Sequence, residues 1–98
     1  MTRYTWRESK RQANLAKHHL DFVDADMVLA NPYRWEIDSP RRSQPRKQVF
    51  AYVFEVLAVL TVVYAGDRQP QIISFRRARR DEREAYHEWL ETGFDDNR

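Results

Sequence analysis

Between Ile72 and Arg83 an apolar run (Ile72, Ile73, Phe75) gives way to five arginines within eight positions: Arg76, Arg77, Arg79, Arg80 and Arg83. The pattern reads as a strand that delivers guanidinium groups to the start of a helix. Arginine stays charged and presents its donors in a planar fork that matches a phosphate, so this cluster suits a polyanion better than an apolar ligand. The competing reading is a solvated charged face paired to Asp81, Glu82 and Glu84. It weakens at Arg76 and Arg77, which precede the acidic residues and end a strand.

Groups able to move a proton near neutrality are few. The chain has His18, His19 and His87, with Tyr64, Tyr86 and the lysines beside them. Histidine is the side chain whose ordinary pKa lies near neutral pH. His18 closes a basic helix next to Lys17, where a histidine is either a general base or a C-terminal residue set against the helix dipole. His87 stands on an acidic helix and reads as structural. Tyr86 shares an apolar stripe with Leu90 and reads as core.

The elements that must position these groups fit one domain over residues 1–98, with one modest core. Hydrophobic residues make up 42% of the chain and glycine occurs twice, so the chain reads as folded despite its 33% charged content. The net charge of +2 hides an asymmetry: Met1 to Arg80 carries 15 basic and 8 acidic side chains, a balance of +7, and Asp81 to Arg98 carries 2 and 7, a balance of −5. A basic body attracts nucleic acid or another anionic surface, and an acidic terminal helix can screen it. Absence of cysteine excludes disulfides, a thiol nucleophile and cysteine-based zinc sites, and fits the cytoplasm. No signal peptide is expected. The apolar run from Val49 to Ala65 is interrupted by Glu55 and falls short of a spanning helix, so no membrane association is expected.

Arg3 to Trp6 suggests a short opening strand, and Thr5-x-x-Glu8 fits a capping box for a helix to about His18. Lys10, Arg11, Asn14, Lys17 and His18 recur at three- and four-residue spacings on its polar face. Asp21 can cap a second helix carrying Phe22, Ala25, Val28 and Leu29, ended by Asn31-Pro32. Tyr33, Trp35 and Ile37 alternate as in a strand. Asp38 to Lys47 is a loop with Arg41, Arg42, Arg46 and Lys47, a stretch that either reaches for phosphates or is polar because it lies in water. Gln48 to Ala65 should hold two antiparallel strands reversing near Glu55 to Ala58, where no usual turn residue stands. Gly66 to Pro70 is a clearer reversal before the strand from Gln71. A final helix from about Arg80 to Glu91 should bury Ala85, Tyr86, Trp89 and Leu90. The expected fold is α+β: a small antiparallel sheet with two N-terminal helices and one C-terminal helix.

Taken together, Lys10, Asn14-Leu15-Ala16-Lys17-His18, Phe22-x-x-Ala25, Asn31-Pro32, Val62-Val63-Tyr64 and Ile72-Ile73-Ser74-Phe75-Arg76-Arg77-Ala78, followed by Arg79-Arg80-x-Glu82-Arg83-x-x-Tyr86, resemble the BrnT toxins of bacterial BrnT/BrnA toxin-antitoxin pairs. The resemblance runs from Trp6 to Tyr86. It implies a RelE-like fold, ribonuclease activity that inhibits translation, no cofactor, and a ribbon-helix-helix antitoxin of the BrnA type that forms a hetero-oligomer with the toxin. Three positions depart from the family pattern: His19 stands where glycine is usual, Phe75 where alanine is usual, and Gln48 near the place where an arginine usually opens the central strand.

RNA cleavage without metal requires the 2′-hydroxyl to be deprotonated, the pentacoordinate phosphate to be stabilised and the leaving 5′-oxygen to be protonated. If Ile73 and Phe75 face the helices, strand alternation sends Arg76 into an open groove as phosphate clamp, with Arg77 orienting from the strand end. His18 is the candidate base, with Lys17 as electrostatic helper. Lys10, Arg11, Arg46, Lys47, Arg80 and Arg83 are candidate RNA contacts, and no metal ligand is expected. Two rival classes share these features: a nucleic-acid-binding module without catalysis, in which Tyr33, Trp35 or Tyr52 stacks on bases, and a protein-interaction module.

Overall fold

The computed structural model describes residues 4–39, 45–66 and 68–93. Helix α1 (Glu8–His18) is followed by a 3-10 turn (Phe22–Asp24) and the single-turn helix α2 (Asp26–Leu29). Strands β1 (Trp35–Asp38), β2 (Lys47–Val53), β3 (Ala58–Ala65) and β4 (Gln71–Arg77) form an antiparallel meander in sequence order. Helix α3 (Arg80–Glu88) comes last and runs into a π turn (Trp89–Gly93). This is the α+β architecture expected from the sequence.

Helices cover both faces of the sheet, but neither is covered completely. On one face Val49, Ala51 and Val53 of β2, Leu60 and Val62 of β3, and Ile72 and Phe75 of β4 pack against Phe22, Ala25, Val28 and Leu29. On the other, Phe50 and Val59 pack with Ala78 and Tyr86, flanked by Trp35, Ile37 and Trp89. The Trp35 ring stacks on Trp89 at 6.0 Å and leans on Phe50 at 5.4 Å, which ties the end of α3 to β1 and β2. The buried Tyr86 hydroxyl donates to the Tyr33 carbonyl at 2.8 Å and accepts from the Tyr52 amide at 3.2 Å. Tyr86 is therefore a core residue whose polar end is satisfied by backbone. Helix α3 lies over the β1–β2 half of its face, and the other half, beside β4, is left open.

Strand β4 is an edge strand, and its free backbone groups are covered in two ways. Thr5 pairs with its first residues: the Thr5 amide donates to the Pro70 carbonyl at 2.9 Å, and the Ile72 amide donates to the Thr5 carbonyl at 2.8 Å. The expected capping box is therefore absent. Thr5 is spent on the sheet edge, Arg7 is the N-cap without a side-chain hydrogen bond, and Glu8 pairs with Arg11 instead. Further along, the Asn14 side chain acts as a substitute strand, donating to the Phe75 carbonyl at 2.7 Å while its oxygen accepts from the Phe75 amide at 3.1 Å.

The second helix is divided. Asp21 does cap it, accepting from the Val23 amide at 3.1 Å, but the chain makes a 3-10 turn before the one turn of α2. Asn31 ends it and donates to the Tyr52 carbonyl at 3.1 Å, tying α2 to β2. The β2–β3 reversal occupies Phe54 to Leu57, one residue earlier than expected, with Leu57 in the left-handed region at φ 52°. Val56 packs against the core and anchors a turn that has no glycine or asparagine to favour it.

Strand β4 departs from strict alternation beside the site. Opposite Val63 and Tyr64 of β3, β4 carries a bulge, so Ser74 partners Val63 and Ile72 partners Tyr64 while Ile73 is the extra residue. Strict alternation would bury Ile73 with Phe75. The bulge breaks the period, and Ile72 and Phe75 are the core pair at 1% and 0% exposure. Ile73 turns to the same open region as Ser74 and Arg76.

Candidate functional site

The uncovered half of the α3 face is a cleft of about 550 Å³. Its floor is Ser74 and Arg76 of β4, Val63 of β3 and Gln48 of β2. Lys10 and Lys17, seven residues apart and so two turns along one face of α1, form one wall; Arg46 and Ser39 form another; Arg79 and Glu82 close the end at the start of α3. Of the residues lining it, five are cationic and Glu82 alone is acidic. Asn14 makes this arrangement possible, because its clasp on the Phe75 peptide holds α1 against the edge of β4 one residue from Arg76.

Among the described residues, Arg76 is the cleft cation with the most side-chain hydrogen bonds, three. Its guanidinium meets Glu82 in a two-pronged pair, Nη1 to Oε1 at 2.9 Å and Nη2 to Oε2 at 3.0 Å, and Nη1 also donates to the Arg77 carbonyl at 3.1 Å. Glu82 further accepts from the Arg79 amide at 2.7 Å and from Gln48 Nε2 at 3.4 Å. The Arg76 hydrogen bonds hold the Glu82 carboxyl down to about 2, against the opposing effect of its burial. Gln48 in turn donates to the Thr61 hydroxyl at 3.2 Å, which donates to the Val49 carbonyl at 2.9 Å. Gln48 thus belongs to the network that fixes Arg76. Arg76 keeps N–H groups beyond those used on Glu82 and Arg77, since a guanidinium carries five.

His18 lines a hollow of about 270 Å³ that shares Lys10, Lys17 and Ile73 with the cleft. Burial, followed by the positive charges of Lys17 and Arg76, pushes its pKa below 6.5. The shift favours the neutral imidazole, the form able to accept a proton.

The structure brings together Lys10, Lys17, Arg46 and Arg76, with His18 beside them, and leaves the other candidates elsewhere. Arg77 sits at the exposed end of β4, on the face opposite Arg76. Arg11 is held by Glu8 at 2.6 Å and Asp21 at 2.9 Å. Lys47 pairs with Asp38 at 2.6 Å on the far face of the sheet. Arg80 makes a solvated pair with Glu84, and Arg83 donates to the Ala78 carbonyl at 3.3 Å; neither lines the cleft. Arg41 and Arg42 lie outside the described residues. Tyr64 is on the opposite face, where burial, with Glu36 adding to it, pushes its hydroxyl up to about 12. Arg79 and Glu82, which the sequence offered only as members of the charged run, line the cleft, as does Ser74. A carboxylate three residues into a helix that starts with arginines was a usable signal for Glu82, because that spacing lets it accept the first free amide. Among the described residues no group of three His, Asp or Glu side chains converges as metal ligands would.

A family model described as the ribonuclease toxin, BrnT, of type II toxin-antitoxin systems matches residues 6–82. The fold is similar to that of the Brucella abortus ribonuclease toxin BrnT, known from a 1.1 Å crystal structure, with a TM-score of 0.57 and 28% sequence identity over 82% of this chain and 100% of that one. No curated protein sequence matches significantly.

Proposed function

The chain belongs to the BrnT family of type II toxin-antitoxin ribonuclease toxins, and we propose that it cuts RNA internally, without a metal ion, in the cleft around Arg76. Family membership favours the enzyme over a non-catalytic binding module and implies an RNA target and an antitoxin partner. The observation that carries the mechanism is a fixed arginine fork in a cationic cleft with a histidine of lowered pKa in the hollow that adjoins it.

The scissile phosphate binds the free N–H groups of Arg76, with Lys10, Lys17, Arg46 and Arg79 drawing the flanking phosphates along the groove. His18 takes the proton of the 2′-hydroxyl as that oxygen bonds to phosphorus. The cationic groups stabilise the charge that builds on the pentacoordinate phosphate, the part a metal ion plays in other nucleases. The P–O5′ bond breaks and the 5′-oxygen leaves with a proton from Lys17 or water, giving 2′,3′-cyclic phosphate and 5′-hydroxyl ends. Glu82 does not act as the base, because a carboxylate held near 2 binds a proton too weakly. Its part is to hold Arg76.

The partner that controls this activity is a ribbon-helix-helix antitoxin of the BrnA type, and the pair acts in the cytoplasm. Among the described residues no helix is long and apolar enough to cross a membrane. The direct test incubates the purified, folded chain with total RNA at low salt, with and without chelator. Cleavage that survives chelation and leaves cyclic-phosphate or 3′-phosphate ends supports the reading. Intact RNA, or cleavage abolished by chelator and restored by Mg²⁺, overturns it.

A further inference from the structure

The cleft continues past Arg46. A second hollow of about 320 Å³ at the ends of β1, β2 and β3 shares Ser39 and Arg46 with the cleft, and shares Lys47, Tyr64 and Gly66 with a third hollow on the opposite face. That third hollow, about 390 Å³, is walled by Tyr4, Arg34, Glu36, Lys47 and Tyr64 over the buried side chain of Val49. Arg46 stands where the first two meet, with its Nε buried and without a hydrogen-bond partner among the described residues. The three hollows form one track around the end of the sheet.

We propose that the third hollow is a base-recognition subsite, in which an RNA strand leaving the cleft seats a guanine against Tyr64 and Glu36. This rests on the chain acting on RNA in the cleft. Its size lies within the roughly 300–1,000 Å³ typical of small-molecule sites. The Tyr4 and Tyr64 rings lie edge to face at 6.4 Å, which gives a base an aromatic surface to stack on. Arg34 offers a cation to the flanking phosphates, as Arg46 does at the crossing, while Lys47 neutralises Asp38, which lines the second hollow. Glu36 would oppose such a path if it met phosphate. A carboxylate only accepts hydrogen bonds, so its place in an anion-attracting track requires a partner with donors. Guanine is the base whose Watson–Crick edge offers two adjacent donors, N1–H and the N2 amino group, whereas adenine and cytosine each offer one amino group. The Tyr64 hydroxyl lies near enough to Glu36 for the carboxylate to raise its pKa.

The test compares a dinucleotide, which fills the cleft alone, with oligouridine octamers that carry either no guanine or one guanine several positions from the labelled cleavage site. With the wild-type chain, KM for the best-placed guanine octamer is expected to be about tenfold or more below that for the guanine-free octamer, the discrimination of one bidentate base contact. Glu36→Gln should erase this advantage and leave dinucleotide cleavage unchanged. Arg34→Ala, at an exposed position, should raise KM for both octamers and spare the dinucleotide. No guanine advantage in the wild type, or equal losses on dinucleotide and octamer in Glu36→Gln, overturns the subsite. If the wild type cuts none of the substrates, the catalytic reading fails by itself. Fluorescence anisotropy then decides the subsite: guanine-dependent octamer binding that is lost in Glu36→Gln supports it, and base-independent binding overturns it.

Discussion

Arg76 and Glu82 meet fork to fork at 2.9 and 3.0 Å, with both side chains only 16% exposed. A pair this sheltered fixes a guanidinium in the cleft more firmly than a surface ion pair could, because solvent does little to screen it. It also couples the site to pH. The Glu82 carboxyl titrates at about 2 in the folded chain and near 4.5 when free, so its contribution to stability is complete above about 4.5 and is lost as pH falls through 2. Glu82→Gln should cost ~1–3 kcal/mol at neutral pH and flatten acid unfolding between those limits relative to wild type. Urea titrations at several pH values check this, and equal acid sensitivity in both proteins would remove Glu82 as its source. Glu8 titrates in the same window, so the difference between the two proteins is the quantity to read.

Arg76 and His18 should fail in different ways. Arg76→Ala removes a phosphate contact made in the ground state and strengthened in the transition state. Cleavage should fall about 10²–10³-fold, and the salt dependence of RNA binding should weaken by about one unit of slope. His18→Ala should lower cleavage about 10²–10⁴-fold while binding stays near wild type. Mobility shifts at graded salt, run beside cleavage rates, separate the two. Full activity in the His18 variant would return this residue to a helix-terminal role.

The pH profile carries a sign of its own. Burial, Lys17 and Arg76 all lower the His18 pKa, so the base form persists below pH 6.5, and the acidic limb of the cleavage profile should have its midpoint under that value. Lys17→Ala removes one of the opposing charges and should move the His18 titration upward, readable by NMR even if the variant cleaves slowly. A His18 titration at or above 6.5 in the wild type would contradict the burial seen at this position.

The fold was largely legible in the sequence, because alternating strands and an apolar stripe ending in Trp89 and Leu90 follow from backbone period alone. The open-face position of Arg76 was legible for the same reason. The position of Ile73 was not. A bulge is set by the partner strand, and no single-strand pattern records it. Thr5 misled because its cap motif is local, whereas the open edge of β4 that outcompeted it lies more than sixty residues away in sequence. Asn14 read as one more polar residue on a basic helix, and only the folded chain gives it the Phe75 peptide to hold.

His19 closes α1 with φ 61°, its amide donating to the Leu15 carbonyl at 2.9 Å. That left-handed cap is the conformation glycine adopts without a Cβ clash. His19→Gly should therefore raise stability by about 1 kcal/mol, a few degrees in melting temperature for a chain of this size. Cleavage should be unchanged, since His19 does not line the cleft. Calorimetry with a parallel cleavage assay checks both, and loss of activity would bring His19 into the proton-transfer chemistry.

The antitoxin should act on the cleft cations proposed to bind RNA. Lys10, Lys17, Arg46, Arg76 and Arg79 converge on the cleft with Glu82 as the one acid lining it, so a segment bearing Asp or Glu can occupy the phosphate positions and exclude substrate. The exposed turn side chains Phe54 and Leu57, 78% and 73% accessible, lie at the far end of the β2–β3 hairpin and offer a separate apolar contact. Masking predicts that co-expression with the neighbouring reading frame abolishes toxicity and gives a complex stable on size exclusion. Hydrogen exchange should then slow over β4 from Ser74 to Arg77 and over the first turn of α3. The affinity should fall with salt and should drop further in Arg76→Ala, because each removes charge pairing from the interface. Protection confined to the chain after Glu88, with the Arg76 strand exchanging as it does in the free toxin, would mean that the antitoxin silences the enzyme without covering its cleft.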